Sequence, residues 1–300
     1  YNSEEVLFEN ETDDVVLAGT LTFPKEGNNF PSVIMITGSG GQDRNEELLG
    51  HKPFLVIAYY LTQNGIAVLR FDDRGIAQST GNHDAATSED FAKDVLAAVQ
   101  FLKNRKEIDK TKIGLIGHSE GGMIAPLVAV QSDDVAFIIM MAGLGIPGDS
   151  ILYLQGELIQ RAEGISEEEI QRSIKLQKEI FSIVKNNNDD EKIVKDLREK
   201  FYAEFSEMSD EEKSKLGDSE VYIDMQIKTI ASPWFKYFLR FDPAPVLEKV
   251  KCPVLAINGE KDLQVPPKEN LSAIESALKE GGNKNFEVKM LLGLNHLFQT

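Results

Sequence analysis

The sequence predicts an α/β fold: a mostly parallel central sheet with helices on both faces and a helical insertion between two of its strands. Three observations predict it. Short apolar, β-branched runs alternate with helical stripes as far as Met141. One of these runs, Ile113–Ile116, passes straight into a helical stretch through Gly117-His-Ser-Glu-Gly121. From about 146 to 240 the strand pattern stops, and afterwards it resumes. The expected division is therefore a core of residues 1–145 and 241–300 and a helical cap of residues 146–240.

Taken in order, residues 3–9 and 14–23 read as two extended strands, and the alternation Leu17-x-Gly19-x-Leu21-x-Phe23 gives one buried face. Pro31–Thr37 is the next strand and runs into the glycine-rich stretch Gly38–Glu46, whose backbone amides can approach a ligand above the sheet. Pro53–Gly65 is a helix closed by Asn64-Gly65, and Ile66–Phe71 is a strand with Asp72-Asp-Arg-Gly75 as its turn. Thr87-x-x-Asp90 is a helix start signal ahead of the stripe Phe91, Val95, Val99 and Leu102. The strand at 113–116, a buried helix over 123–130 and a strand at Val135–Met141 follow.

The insertion is charge-rich and helical. Ser166-x-x-Glu169 and Ser209-x-x-Glu212 fit capping boxes, and Asn186–Asp190 is a break between helices. Its charge runs read as a solvated outer face. Aromatic residues gather in Ala231–Phe238, just before the chain rejoins the sheet, and Trp234 and Phe235 are the expected contacts to substrate from this cap. The sheet resumes at Pro253–Ile257, a helix covers about 267–280, and Phe286–Leu291 is the last strand.

A net charge of −17 with no basic stripe argues against a nucleic-acid partner. One cysteine and four scattered histidines build neither a disulfide framework nor a zinc cluster, and Cys252 reads as a buried thiol. No apolar run reaches the length of a membrane span. The chain starts at Tyr1 without a methionine, which is read as loss of a signal peptide or a preceding domain. Cytoplasmic and exported locations both stay open, as does the oligomeric state.

The chemistry centres on Ser119. A turn from strand to helix through Gly-x-Ser-x-Gly strains the backbone at the serine and lifts its hydroxyl into the open at a helix N-terminus. A serine hydroxyl is a weak nucleophile and needs a base, which in turn needs an orienting acid. Sheets with such an elbow order the three as serine, acid, histidine. His118 adjoins the serine, and His51 and His83 precede it; His296 alone follows the last strand. Glu260 and Asp262 both lie in the loop after the strand at 253–257, and spacing past Gly259 favours Asp262. The oxyanion hole needs two backbone amides, expected from Glu120, the residue after the nucleophile, and from Ser39.

As a set, Gly38–Arg44, Asp72–Gly75, Gly117–Gly122, Asn258–Pro266 and Leu294–Gln299 resemble the α/β-hydrolase superfamily. Within it the chain is similar to bacterial serine esterases of the dienelactone-hydrolase and prolyl-oligopeptidase-like branch that carry a helical cap. The resemblance implies an α/β-hydrolase fold and a carboxylester hydrolase with no cofactor; the expected substrate is a small-molecule ester of short to medium acyl length, cleaved through an acyl-enzyme intermediate. Where related chains often open the oxyanion loop with His-Gly, this one has Thr37-Gly38. The resemblance also implies a helix after the histidine loop, and the end at Thr300 sets up the expectation of a trimmed protein. An acyl-CoA thioesterase, a small peptidase of the same branch and a non-enzymatic binding protein are the alternatives. The first calls for a basic patch, the second for a screening domain, and the third for loss of the serine or histidine.

Overall fold

The computed structural model describes residues 1–300, the Glu212 side chain excepted. The expected Ser209/Glu212 capping box depends on that side chain and lies outside the described residues. The chain divides into two compact units, residues 1–146 with 242–300, and residues 147–241.

The first unit holds β1 (Asn2–Asn10), β2 (Val15–Phe23), β3 (Phe30–Ile36), α1 (Pro53–Gln63), β4 (Ala67–Phe71), α2 (Ser88–Lys103), β5 (Ile108–His118), α3 (Glu120–Ala129) and β6 (Val135–Met141). The second unit holds α4 (Gly148–Ala162), α5 (Glu167–Lys185), α6 (Asp190–Glu207), α7 (Asp210–Leu216), α8 (Ser219–Ile230) and α9 (Pro233–Arg240). The chain then returns to the first unit with α10 (Ala244–Leu247), β7 (Val254–Gly259), α11 (Pro267–Glu280) and β8 (Phe286–Leu291).

The sheet order is β1-β2-β4-β3-β5-β6-β7-β8. β1 and β2 form an antiparallel hairpin, β2 joins β4 antiparallel, and every later pairing is parallel. Alternation along β3 explains the two covered faces. Val33 and Met35 pack with Phe54 and Ala58 of α1, whereas Ile36 points to the opposite face with Val95 of α2 and Ile124 of α3. Strand order reverses around β3, which has β4 on one side and β5 on the other, so the carboxyl ends of β3 and β5 open on a shared crevice.

Most elements follow the sequence pattern. The box at the start of α2 forms, with the Thr87 amide donating to Asp90 Oδ2 at 2.9 Å, a cap of a kind worth about 1 kcal/mol. β5 is longer than its apolar run. It starts at Ile108, and the pairing with β3 slips between Phe30 and Ser32, so the polar stretch Asp109–Lys112 is taken up in a bulge. Asp109 Oδ1 accepts the Thr111 amide and hydroxyl there. Cys252 is half-buried, and burial raises its thiol pKa.

The second unit contains helices and no strand among the described residues. Ile180, Phe181, Val184, Ile193, Leu197, Phe201, Ile223 and Ile227 form its own apolar centre. Ser166 and Glu169 make the expected box at the start of α5, and Asp189 caps α6 by accepting from Glu191 and Lys192 amides. No helix among the described residues is long and apolar enough to cross a membrane.

Candidate active site

β5 delivers Ser119 to α3 through a backbone with φ 53° and ψ −114°, a left-handed conformation that a serine adopts only under constraint. The Ser119 amide donates to the Met141 carbonyl at the end of β6. The flanking glycines are sterically required. A Cβ on Gly117 would lie 1.9 Å from the Gly121 carbonyl oxygen, and one on Gly121 would lie 2.2 Å from that of Ile36. The Ser119 hydroxyl has no hydrogen-bond partner among the described residues.

Beyond β7 the loop folds so that Asp262 Oδ1 accepts the amides of Gln264 at 2.8 Å and Val265 at 2.9 Å. That leaves Oδ2 for His296 Nδ1, also at 2.8 Å, with Asp262 and His296 both buried. A carboxylate accepts only, so Nδ1 carries a hydrogen. The competing carboxylate turns elsewhere: Glu260 is exposed and accepts the Gly293 amide at 2.8 Å. Ser119 and His296 line one cavity of about 160 Å³, together with Gly38, Ser39, Gln42, Glu46, His51 and His118.

The loop after β3 is held by the turn after β4. Arg44 makes two side-chain bonds to Asp72, Nε at 3.0 Å and Nη2 at 2.7 Å, while its amide donates to Asp72 Oδ1 at 2.9 Å. Asp72 is 2% exposed, so removing Arg44 strands a buried carboxylate, at a cost of about 3–5 kcal/mol, whereas Arg44 keeps a second ion pair with Glu5. Asp73 accepts the Thr37 hydroxyl at 2.7 Å and the Gln42 amide at 2.8 Å. The residue keeps some exposed surface, but its carboxyl is enclosed. Burial pushes its pKa up to about 8 against those two bonds, with the charges of Glu120 and Glu46 adding to the rise. Arg74 pairs with the buried Asp94 at 2.7 Å and so ties the same turn to α2.

Of the two expected oxyanion donors, Ser39 is exposed and lines the cavity, and Glu120 opens α3, where amides point out of the helix. The Gly38 amide is committed to Glu46 Oε1 at 2.8 Å. The Glu120 side chain is buried and accepts the Ser88 hydroxyl at 2.6 Å. His83 stacks on Phe91 with centroids 5.1 Å apart, and burial keeps its pKa below the ordinary value. Trp234 and Phe235 lie in the helical unit: Trp234 stacks on Phe238 at 5.2 Å, and Phe235 meets Phe181 edge-on at 5.6 Å.

Three residues at the site were given no role of their own by the sequence. Glu46, His118 and Asp73 are each tied to partners that only the fold brings near. A histidine directly before the serine and a glutamate closing the glycine-rich loop were the available signals.

An esterase of Thermotoga maritima, EstD, is 26% identical over 282 residues, covering 94% of this chain and 58% of EstD. The chain thus spans little more than half the length of that relative. Among solved structures, the Pyrococcus furiosus esterase Pf2001 superposes with a TM-score of 0.63 at 17% identity, covering 99% of this chain and 84% of that one. Est1E of Butyrivibrio proteoclasticus, solved with ferulic acid bound, gives a TM-score of 0.57 at 18% identity over 98% of this chain and 92% of that one. A Penicillium α/β hydrolase, GrgF, gives 0.59 at 18% identity over 99% and 92%. At these identities the structures speak to fold, and the fold is that of the α/β hydrolases. Residues 52–213, which include the elbow, match the profile of the serine aminopeptidase, S33, family, and the chain belongs to that family.

Proposed function

We propose that the protein is a carboxylesterase-type serine hydrolase acting on esters of short to medium acyl length through an acyl-enzyme. The observation that carries this reading is the 2.8 Å Asp262–His296 bond beside a cavity that Ser119 also lines. Rotation of the Ser119 side chain brings Oγ to His296 Nε2 as substrate binds. Oγ attacks the ester carbonyl carbon while Nε2 takes its proton, and the amides of Ser39 and Glu120 receive the oxyanion. His296 returns the proton to the leaving alcohol, and a water then repeats the sequence to free the acid. Asp262 fixes the imidazole tautomer and stabilises its cation. The esterase names of EstD, Pf2001 and Est1E support an ester as the acyl donor. Trp234 and Phe235 are assigned to the acyl chain.

The family description favours a second reading, hydrolysis of peptides from their amino end. Nitrophenyl esters of rising chain length, run beside a peptide nitroanilide and an acyl thioester, separate the two. Esters should turn over fastest, and Ser119→Ala should lower kcat by about 10³-fold or more with an unchanged circular dichroism spectrum. A variant retaining a tenth of wild-type activity removes Ser119 from the mechanism, and a preference for the nitroanilide converts the reading to a peptidase. On the same panel Trp234→Ala should change the preferred chain length. An unchanged profile with a large drop in Tm would make Trp234 a packing residue of the helical unit.

A further inference from the structure

We propose that Glu46 and His118 form a buried carboxylate–imidazolium pair that positions the oxyanion loop and the His296 backbone around Ser119. It rests on the reading of Ser119 and His296 as nucleophile and base. Neither residue is assigned a part in the reaction above, and both are positioning residues.

The hydrogen bonds point to a charged ring. His118 Nε2 faces the His296 carbonyl oxygen at 3.0 Å, and a carbonyl only accepts, so Nε2 carries a hydrogen. His118 Nδ1 faces Glu46 Oε1 at 2.8 Å, and the same oxygen accepts the Gly38 amide. An oxygen that already accepts one N–H is best matched by a second donor, so both ring nitrogens donate and the ring is an imidazolium. Burial by itself would lower the His118 pKa; the bond and charge of Glu46, the His296 carbonyl and the charge of Asp262 outweigh it, and the pKa is raised. The other groups facing the ring are the His296 imidazole, with centroids 4.8 Å apart, and the Phe298 ring at 6.2 Å. His51 lines the same cavity.

The pair joins three segments that meet nowhere else in sequence. Glu46 holds Gly38, where the oxyanion loop begins. His118 is the residue before the nucleophile and grips the carbonyl of His296 itself. Glu46 has φ 52°, a left-handed conformation unfavourable for a glutamate, so the fold maintains the pair against local backbone preference. Buried ion pairs add little net stability over apolar replacements, and geometry is the better account of this one.

The test uses Glu46→Gln, which keeps the shape and removes the charge. Without its counter-charge, His118 reverts to a neutral imidazole with a single N–H, and one of its two bonds is lost. At a temperature where the variant is fully folded, kcat should fall about tenfold to hundredfold with KM within about threefold, the pattern of a misplaced reacting group. A folded Glu46→Gln with kcat within twofold of wild type overturns the proposal. A second measurement requires neither turnover nor that variant. In ¹⁵N-histidine-labelled Ser119→Ala, with signals assigned by loss in single histidine variants, both His118 ring nitrogens should show imidazolium shifts at pH 7.5. A neutral His118 there overturns the pair. Failure of wild type to hydrolyse any ester would remove the esterase reading and leave this measurement standing.

Discussion

Asp262 and Glu260 stand two residues apart beyond β7, yet only one carboxylate meets the histidine. The reason is local: two amide bonds within the loop fix Asp262 Oδ1 and aim Oδ2 at His296 Nδ1, while Glu260 serves the Gly293 amide at the surface. Asp262→Asn keeps the shape but lets the wrong imidazole tautomer form, so kcat should fall by about 10³–10⁴-fold. Glu260→Gln should cost less than about tenfold. Steady-state kinetics of both variants check this, and the reverse ranking would move the acid to Glu260. At this scale the sequence was informative where chemistry is written locally. Ser119 sits in a five-residue motif, and Asp262 and His296 each follow a strand end. Glu46 was illegible because its partner His118 is 72 residues away, and nothing in the local pattern marks a glutamate as buried.

Among the elements, the β4 turn does more than reverse the chain. Asp72, Asp73 and Arg74 respectively grip Arg44, the Thr37–Gln42 loop and α2. Asp73 is the member with a pH signature. Its folded pKa of about 8 lies above the ordinary aspartate value of about 3.9, so the folded state holds a proton that the unfolded chain releases. Its contribution is fully present below about pH 4 and is lost as pH rises toward 8, with a slope of at most about 1.4 kcal/mol per pH unit. Asp73→Asn has no such proton. Urea midpoints at pH 5 and pH 7.5 should converge in the variant relative to wild type, and an identical difference in both would contradict the assignment. The turn was legible as a turn, while its anchoring role was not, since Arg44 and Asp94 reach it from other elements. β5 teaches the same lesson: apolar periodicity located Ile113–Ile116 but not Ile108–Lys112, where a bulge places polar residues inside a strand.

At the scale of the whole molecule, one topological fact locates the chemistry. Strand order turns back around β3, and the two loops that bracket the reversal carry Ser39 and Ser119. The alternation of strands and helices made this sheet legible, and the loss of alternation after 146 announced α4–α9. The proposed chemistry acylates a single serine. An alkyl fluorophosphonate tests it directly, because Oγ attack forms a phosphorus–oxygen bond, fluoride leaves, and the serine proton passes to His296. Intact mass and peptide mapping should show one adduct per chain, on Ser119, absent from Ser119→Ala. An adduct on any other residue, or full ester turnover in protein that takes up no label, would rule out Ser119 as the nucleophile.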